Sequence, residues 1–273
     1  MREHAPAWFP PTPSEPFGVQ TGKMGMGPYN AHVAMGRAVE LAEEHGMGVV
    51  AIRNTNHWQR GGAYGLQAAD AGMLGICWTN TTGNMPPWGS AEVKIGNNPV
   101  VFAVPRANGE HVLLDMATSQ FANGKLEILK QQGEQLAVPG GHDIEGKLSQ
   151  DPASILETKR ALPIGFWKGS GLTIVLDMMA AAMAGGLSTH EIQAQGAEYR
   201  VCQVFMAIAA SKIDADAVEA TVNGVIDDLH AVEPLVEGRS VSYPGEGMIK
   251  TREENLAKGV PVDKDQWENL QTL

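Results

Sequence analysis

A β-hairpin is written into residues 100–114. Val100-Val101-Phe102-Ala103-Val104 is an apolar run that stops at Pro105. Arg106-Ala107-Asn108-Gly109-Glu110 follows, and Asn-Gly is a strong hairpin signal because tight two-strand turns need positive φ. Val112-Leu113-Leu114 then returns as the partner strand. Two strands joined this closely pair antiparallel, so at least part of the sheet is antiparallel.

The flanking sequence alternates helix and strand signals. Residues 1–28 hold six of the sixteen prolines and are expected to be extended or loop-like. Val33, Arg37 and Leu41, with Ala34, Ala38 and Ala42, form a helical stripe ending at Gly46. Val49 to Ile52 reads as a strand, Tyr64 to Ala71 as a helix stopped at Gly72, and Leu74 to Thr79 as a second strand. Beyond the hairpin, 120–136 reads as helix, 138–165 as mostly loop and 170–185 as a very apolar, buried helix. Ser188-Thr189-His190-Glu191 has the form of a capping box. Val201 to Ala209 reads as a strand and 214–235 as a helix. Asp263 is the expected N-cap of a short final helix.

Composition narrows the function classes. The 273 residues are 43% hydrophobic and 19% charged, the range of a globular chain with a sizeable core. The net charge of -11 and the lack of Lys/Arg clusters argue against a nucleic-acid partner. Cys77 and Cys202 both sit in apolar runs, which suggests free thiols in a reducing compartment, hence the cytoplasm. No signal peptide is expected after Met1. The apolar stretch Leu172 to Leu187 is broken by Asp177 and two glycines, so no membrane span is expected.

The densest chemistry lies in Asn54-Thr55-Asn56-His57-Trp58-Gln59-Arg60-Gly61-Gly62, directly after a buried-strand pattern. His57 is its one group that titrates near neutral pH, and an imidazole can give a proton to a carbonyl as it is reduced. Gly61 and Gly62 would allow close backbone approach. The bland alternative is a strand-to-helix loop whose amides cap the next helix. Asp115-Met116-Ala117-Thr118-Ser119 reads either as a ligand-binding turn or as the N-cap of a helix near Phe121. Gly165-Phe166-Trp167-Lys168-Gly169-Ser170-Gly171 reads either as a helix N-terminus holding an anionic, planar ligand or as a glycine-rich entry turn. Met85-Pro86-Pro87-Trp88-Gly89 and Tyr243-Pro244-Gly245-Glu246-Gly247 are rigid turns, and Trp88 could wall a pocket. Gly22-Lys23-Met24-Gly25-Met26-Gly27 lacks the Gly-x-Gly-x-x-Gly spacing, and no strand is expected before it. The eight histidines show no metal-ligand spacing, so no metal is expected.

Taken together, these segments resemble the malate/lactate-type NAD(P)-dependent oxidoreductases that lack a Rossmann fold. The resemblance is carried by Asn56-His57-Trp58-x-Arg60-Gly61-Gly62-x-Tyr64-Gly65, Gly75-Ile76-Cys77-Trp78-Thr79-Asn80, Met85-Pro86-Pro87-Trp88-Gly89 and Ile95-Gly96-x-Asn98-Pro99. Asp115-Met116, Trp167-Lys168-Gly169-Ser170-Gly171, Ile174-Val175-Leu176-Asp177-Met178 and Pro244-Gly245 complete it. The Trp-x-Arg-Gly-Gly and Pro-Pro-Trp-Gly elements resemble the subgroup acting on a 2,3-dioxo sugar acid of the 2,3-diketo-L-gulonate kind.

The resemblance implies an α/β fold, non-Rossmann, with a mostly antiparallel sheet flanked by helices. It implies hydride transfer from NAD(H), or alternatively NADP(H), to a 2-oxo acid, by a homodimer with active sites near its interface. Cofactor contacts would come from Thr81, from His111, Val112, Leu113, Leu114, Asp115, Met116 and Ala117, from Trp167 and Lys168, and from Gly245, Glu246 and Gly247. His57 and Asp115 would be catalytic, with Asn56 and Arg60 on the substrate. Residues 1–26 would be an extended segment, 27–235 the cofactor-binding unit, and 236–273 a segment that packs with an N-terminal helical region. That region carries Ser-His-Gly in the family, and the tripeptide has no counterpart here. The expectation is a chain that starts late or one without the usual acid, and the rival function is a silent cofactor-binding or structural homologue.

Overall fold

The computed structural model describes residues 7–9, 16–262 and 264–272. Its main sheet has seven strands in the order β1-β2-β3-β9-β4-β5-β6. These are β1 (Ala7–Phe9), β2 (Phe17–Thr21), β3 (Met47–Thr55), β4 (Met73–Thr79), β5 (Val100–Val104), β6 (Val112–Met116) and β9 (Val201–Ala209). Only the β2–β3 pair is parallel, so the sheet is mostly antiparallel as expected. The hairpin forms as read, with Val104 opposite Val112, and Gly109 takes φ +79 and donates its N–H to Arg106 O.

Strands β3 and β9 are continuously apolar because helices cover both faces of the sheet. Val50 and Ile52 of β3, with Phe205 and Ala207 of β9, join a core beneath α1 (Gly27–His45) and α2 (Gly62–Asp70). Their alternates Val49, Ala51, Cys202 and Val204 join a second core beneath α5 (Trp167–Ala184). Helix α1 ends where Gly46 takes φ +88, the left-handed stop that glycine adopts without penalty. Pairing makes β2, β3, β4 and β6 run in one direction, so the loops after them share one end of the sheet.

Several expectations are corrected. A strand, β2, does precede the glycine-rich stretch 22–27, formed by pairing with the distant β3. Residues 138–165 are not mostly loop. They form a two-stranded hairpin, β7 (Gly141–His142) and β8 (Leu148–Ser149), and helix α4 (Pro152–Thr158). Asp151 caps α4 by accepting from Ala153 N and Ser154 N, with Pro152 in the first turn. The preceding helix, α3, spans Asn123–Gln132. Helix α5 begins at Trp167 and is only half buried. Gly169, Ser170, Thr173, Leu176, Ala180 and Ala184 face inward, while Leu172, Val175, Met178 and Met179 stay exposed. Helix α6 (Thr189–Ala194) carries the full capping box on Ser188 and Glu191. After the short α7 (Ala210–Ile213), α8 (Ala215–Ala231) ends before the expected 235. The turn at Tyr243 is followed by an unforeseen helix, α9 (Glu246–Lys258), which buries none of its residues. The final helix, α10, spans Lys264–Gln271; the expected cap Asp263 lies outside the described residues. Among the described residues, no helix is long and apolar enough to cross a membrane.

Phe205 sits at the sheet centre, fully buried against Trp58 and Tyr64. Phe205→Ala is expected to lower unfolding free energy by about 3–5 kcal/mol, read as a drop in the urea midpoint at unchanged slope.

Candidate functional site

The His57 cluster occupies the shared loop end of the sheet, and its side chains divide. Trp58 turns inward and is 1% exposed, with its ring 5.7 Å from Tyr64 and 6.0 Å from Phe205. Tyr64 Oη donates to Trp58 O at 2.6 Å. The indole is thus a core anchor, and it leaves His57, Gln59 and Arg60 outside. Gln59 has φ +69, and its N–H donates to His57 Nδ1 at 3.0 Å. An Nδ1 that accepts a hydrogen bond places the proton of a neutral imidazole on Nε2. His57 therefore presents a donor toward solvent.

The glycine-rich stretch 22–27 supports this loop. Asn56 Nδ2 donates to Met24 O at 3.0 Å and Gly25 O at 2.9 Å, and Gln203 Nε2 donates to Asn56 O at 3.0 Å. Lys23, Met24, Asn54 and Gln59 are four of the seven non-glycine residues with positive φ among the described residues. Strain of this kind concentrates at functional sites, where the surroundings hold it in place.

Gly61 and Gly62 approach protein, not open space. A Cβ on Gly61 would lie 2.8 Å from Trp58 Cζ2, and one on Gly62 would lie 2.9 Å from Asp115 Oδ2. Gly62 N donates to Asp115 Oδ2 at 2.8 Å. Asp115 thus satisfies a free N–H at the start of α2 and ties the end of β6 to the His57 loop. The expected cap near Phe121 is not its role.

Trp167 and Lys168 are exposed at the start of α5. The backbone donors nearby are largely consumed by the chain itself. Phe166 N donates to Pro163 O, Lys168 N to Gly165 O and Gly169 N to Ile164 O. Gly169 is required because a Cβ there would collide with Ile164 O. Positive charge at this helix start therefore resides chiefly in the Lys168 ammonium. Trp88 packs on Phe166 with ring centroids 5.1 Å apart, and Trp88 N donates to Ser170 Oγ at 3.0 Å. The pairing of Ser119 with Pro163, and the bond from Ile164 N to Thr118 O, join this helix start to the end of β6.

Residues His111 to Ala117 run the whole length of β6, about 20 Å of extended chain. His111 lies at the far end, buried, with Nδ1 accepting from Arg106 N and Nε2 against Asp70 Oδ1, each at 3.0 Å. Val112 and Met116 are partly buried, Leu113 is buried, and Leu114 and Asp115 are exposed. Leu113 N donates to Pro244 O, so the Gly245-Glu246-Gly247 turn sits beside the middle of the strand. Glu246 accepts from Tyr243 N at 3.2 Å and pairs with His230 at 3.2 Å. Thr81 is buried. Its N–H and hydroxyl both meet Asn98 Oδ1.

Sequence reasoning missed the scaffold of this end of the sheet. Asn80 Nδ2 donates to Asp177 Oδ1 at 2.9 Å and Asn80 Oδ1 accepts from Cys202 N at 2.7 Å. Asn98 Nδ2 donates to Thr173 O at 2.9 Å. These bonds clamp α5 to the loops after β4 and before β5. All three polar residues stand in the motifs quoted above, but nothing local assigned them a task.

Comparison with known proteins follows this geometry. The chain superposes on sulfolactate dehydrogenase from Methanocaldococcus jannaschii with a TM-score of 0.82 at 28% identity, over 97% of this chain and 76% of that one. Malate dehydrogenase from Entamoeba histolytica shares the fold, with a TM-score of 0.90 at 24% identity over 98% and 78%. Fold and loop chemistry therefore define a dehydrogenase scaffold outside the Rossmann class. The sequence pattern of the malate/L-lactate dehydrogenase family matches residues 13–271. The chain belongs to that family of oxidoreductases. It is 44% identical to 2,3-diketo-L-gulonate reductase of Citrobacter koseri over 250 residues, 91% of this chain and 75% of that protein. It is 42% identical to the Pasteurella multocida protein of the same name, over the same shares.

Burial pushes both thiols up, Cys77 well above its usual value and Cys202 to about 12; nearby Asp115 and Asp177 add to the respective shifts. Thiolate is the reactive form, so both cysteines are expected to resist iodoacetamide at pH 8 and to react in urea. An unfolded thiol ionises near 9.0, the ordinary value, while the folded one stays neutral. Their contribution to stability is therefore complete below that pH and is lost as pH rises toward the folded values. Chemical denaturation between pH 8 and 10 should show declining stability.

Proposed function

We propose that the chain is an NAD(P)H-dependent reductase of a small 2-oxo or 2,3-dioxo sugar acid, similar to 2,3-diketo-L-gulonate. The observation that carries this reading is that the His57 loop, with the imidazole donor on Nε2, is tied through Gly62 N to Asp115 at one end of the sheet. Identity of 42–44% to reductases over 91% of the chain supports the reductase over the silent alternative.

The residues fit a dinucleotide by their donor chemistry. Exposed Leu114 and Asp115 on β6, the Lys168 ammonium and the Trp167 indole offer an extended surface, a cation and a flat apolar face. Val112 to Ala117, Trp167 and Lys168, all within a unit spanning 27–235, would hold the cofactor together with the turn Gly245-Glu246-Gly247 of the segment 236–273. Thr81 and His111 would act from behind, through the backbone they secure. NAD(H) is the reading adopted, with NADP(H) as the alternative. The bound nicotinamide supplies a hydride for the substrate carbonyl.

His57 Nε2–H then gives the proton that the nascent alkoxide needs, as a general acid. Asp115 acts through Gly62 N–H and keeps the His57 loop against β6. Asn56, with its amide nitrogen committed to the 22–27 loop, keeps Oδ1 to accept from a substrate hydroxyl. Arg60 stands exposed beside them as a cation for the acid. We further propose a cytoplasmic homodimer. The exposed apolar side of α5 supports self-association, and two free buried thiols support a reducing compartment.

The test is NADH oxidation with 2,3-diketo-L-gulonate. His57→Gln should lower kcat by about 10²–10⁴-fold, the usual worth of a general acid. Turnover equal to the parent chain would remove His57 from the mechanism. No oxidation of NADH or NADPH by the parent chain, despite cofactor binding, would favour the silent alternative.

A further inference from the structure

A small cleft of about 240 Å³ lies beside the start of α5, walled by Pro86, Pro87, Trp88, Leu162 and Pro163. Its polar groups are Ser90, His142 and Arg160. His142 N donates to Arg160 O at 2.9 Å, so the backbone brings the imidazole and the guanidinium to one wall although they stand eighteen residues apart in sequence. Arg160 Nη1 makes only long contacts, 3.3 Å to Asp143 O and 3.4 Å to Ile144 O, and no carboxylate pairs with it among the described residues. The nearest acid in sequence, Glu157, is exposed and lines a different cleft, and Asp143, whose carbonyl Arg160 touches, accepts from Lys147 N at 2.9 Å through its carboxylate.

The sign of the cleft sets it apart. The chain carries -11, yet no Asp or Glu lines this wall. Three other clefts of the described residues all carry carboxylates: Glu127 and Glu157 in one, Glu246 and Glu253 in another, Asp70 and Asp216 in the third. A half-buried guanidinium without an ionic partner favours a carboxylate, which it can bind through two parallel hydrogen bonds. Trp88 and the prolines offer a rigid apolar wall to the C–H face of a polyol, and the Ser90 hydroxyl, which accepts from Glu92 N, keeps its own hydrogen to donate. The volume suits a six-carbon acid; drug-sized ligands occupy roughly 300–1,000 Å³.

We propose that this cleft is a binding site for a small polyhydroxy carboxylate, with the acid on Arg160 and the carbon chain against Trp88. The choice of a sugar acid rests on the reductase reading; the preference for an anion rests on the cleft alone. The site lies apart from Arg60, which lines none of the clefts above.

The experiment is titration of the full chain, without cofactor, by calorimetry and tryptophan fluorescence. L-gulonate should bind and perturb the Trp88 signal, while the neutral L-gulono-1,4-lactone should bind at least about tenfold more weakly, the scale of a charge-assisted pair. Arg160→Gln should weaken gulonate by a similar factor, and Arg160→Lys should restore part of it. Trp88→Phe should remove the fluorescence change and keep binding. Should Arg160→Gln fail to fold, His142→Gln gives a second reading, because loss of the imidazole beside Arg160 should also weaken gulonate. Absence of gulonate binding, equal binding of gulonate and lactone, equal binding of inorganic phosphate and gulonate, or an unaffected Arg160→Gln variant would each overturn the proposal. Gulonate binding by a chain that oxidises neither NADH nor NADPH with 2,3-diketo-L-gulonate would count against the reductase reading and leave the cleft standing.

Discussion

Strand β9 holds the molecule together. It comes late in the chain yet enters between β3 and β4, pairing antiparallel with both. Its alternate residues supply both cores, Phe205 and Ala207 on one face and Cys202 and Val204 on the other. It also reaches into the loop end of the sheet. Gln203 fixes Asn56, and Cys202 meets Asn80. Without this pairing neither the two halves of the sheet nor the loops at its end would have a common frame. Such long-range closure is costly in chain entropy, which both cores together offset.

The same economy of geometry explains the site. A loop that ends β3 is held from behind by Trp58, from one side by the 22–27 loop and from the other by Asp115. Each anchor uses a group that a quick reading would hand to a ligand. Once these are committed to the protein, the groups left facing out are few: His57, Gln59, Arg60, Lys168 and Trp167. A site with few free groups on a well-anchored frame is pre-organised, and little ordering remains to be done when a substrate arrives.

Much of this was legible in the residues. The hairpin at Asn108-Gly109, the stop at Gly46 and the box at Ser188 are short-range events, decided by turn and cap chemistry within a few residues. They stand where the sequence puts them. Helix α4 was equally local, marked by Asp151-Pro152, but the glycines and prolines around it masked the signal. The burial of α5 was misjudged because composition does not reveal sidedness. The polar residues Ser170, Thr173 and Asp177 of this helix face protein partners, so no polar face marks its outer side, and only its packing shows that Val175 and Met178 are left exposed.

By itself, the sequence determined the alternation of helices and strands, the antiparallel hairpin and the family-bearing motifs, because each depends on neighbours along the chain. The tertiary structure alone decided which way each motif residue faces. Trp58 went inward, Asp115 went to Gly62, the N–H groups at the start of α5 went to the carbonyls of Pro163, Ile164 and Gly165, and His142 came beside Arg160. The physical reason is that a buried donor, acceptor or ring must find its partner somewhere in three dimensions, and the nearest partner in space is seldom the nearest in sequence.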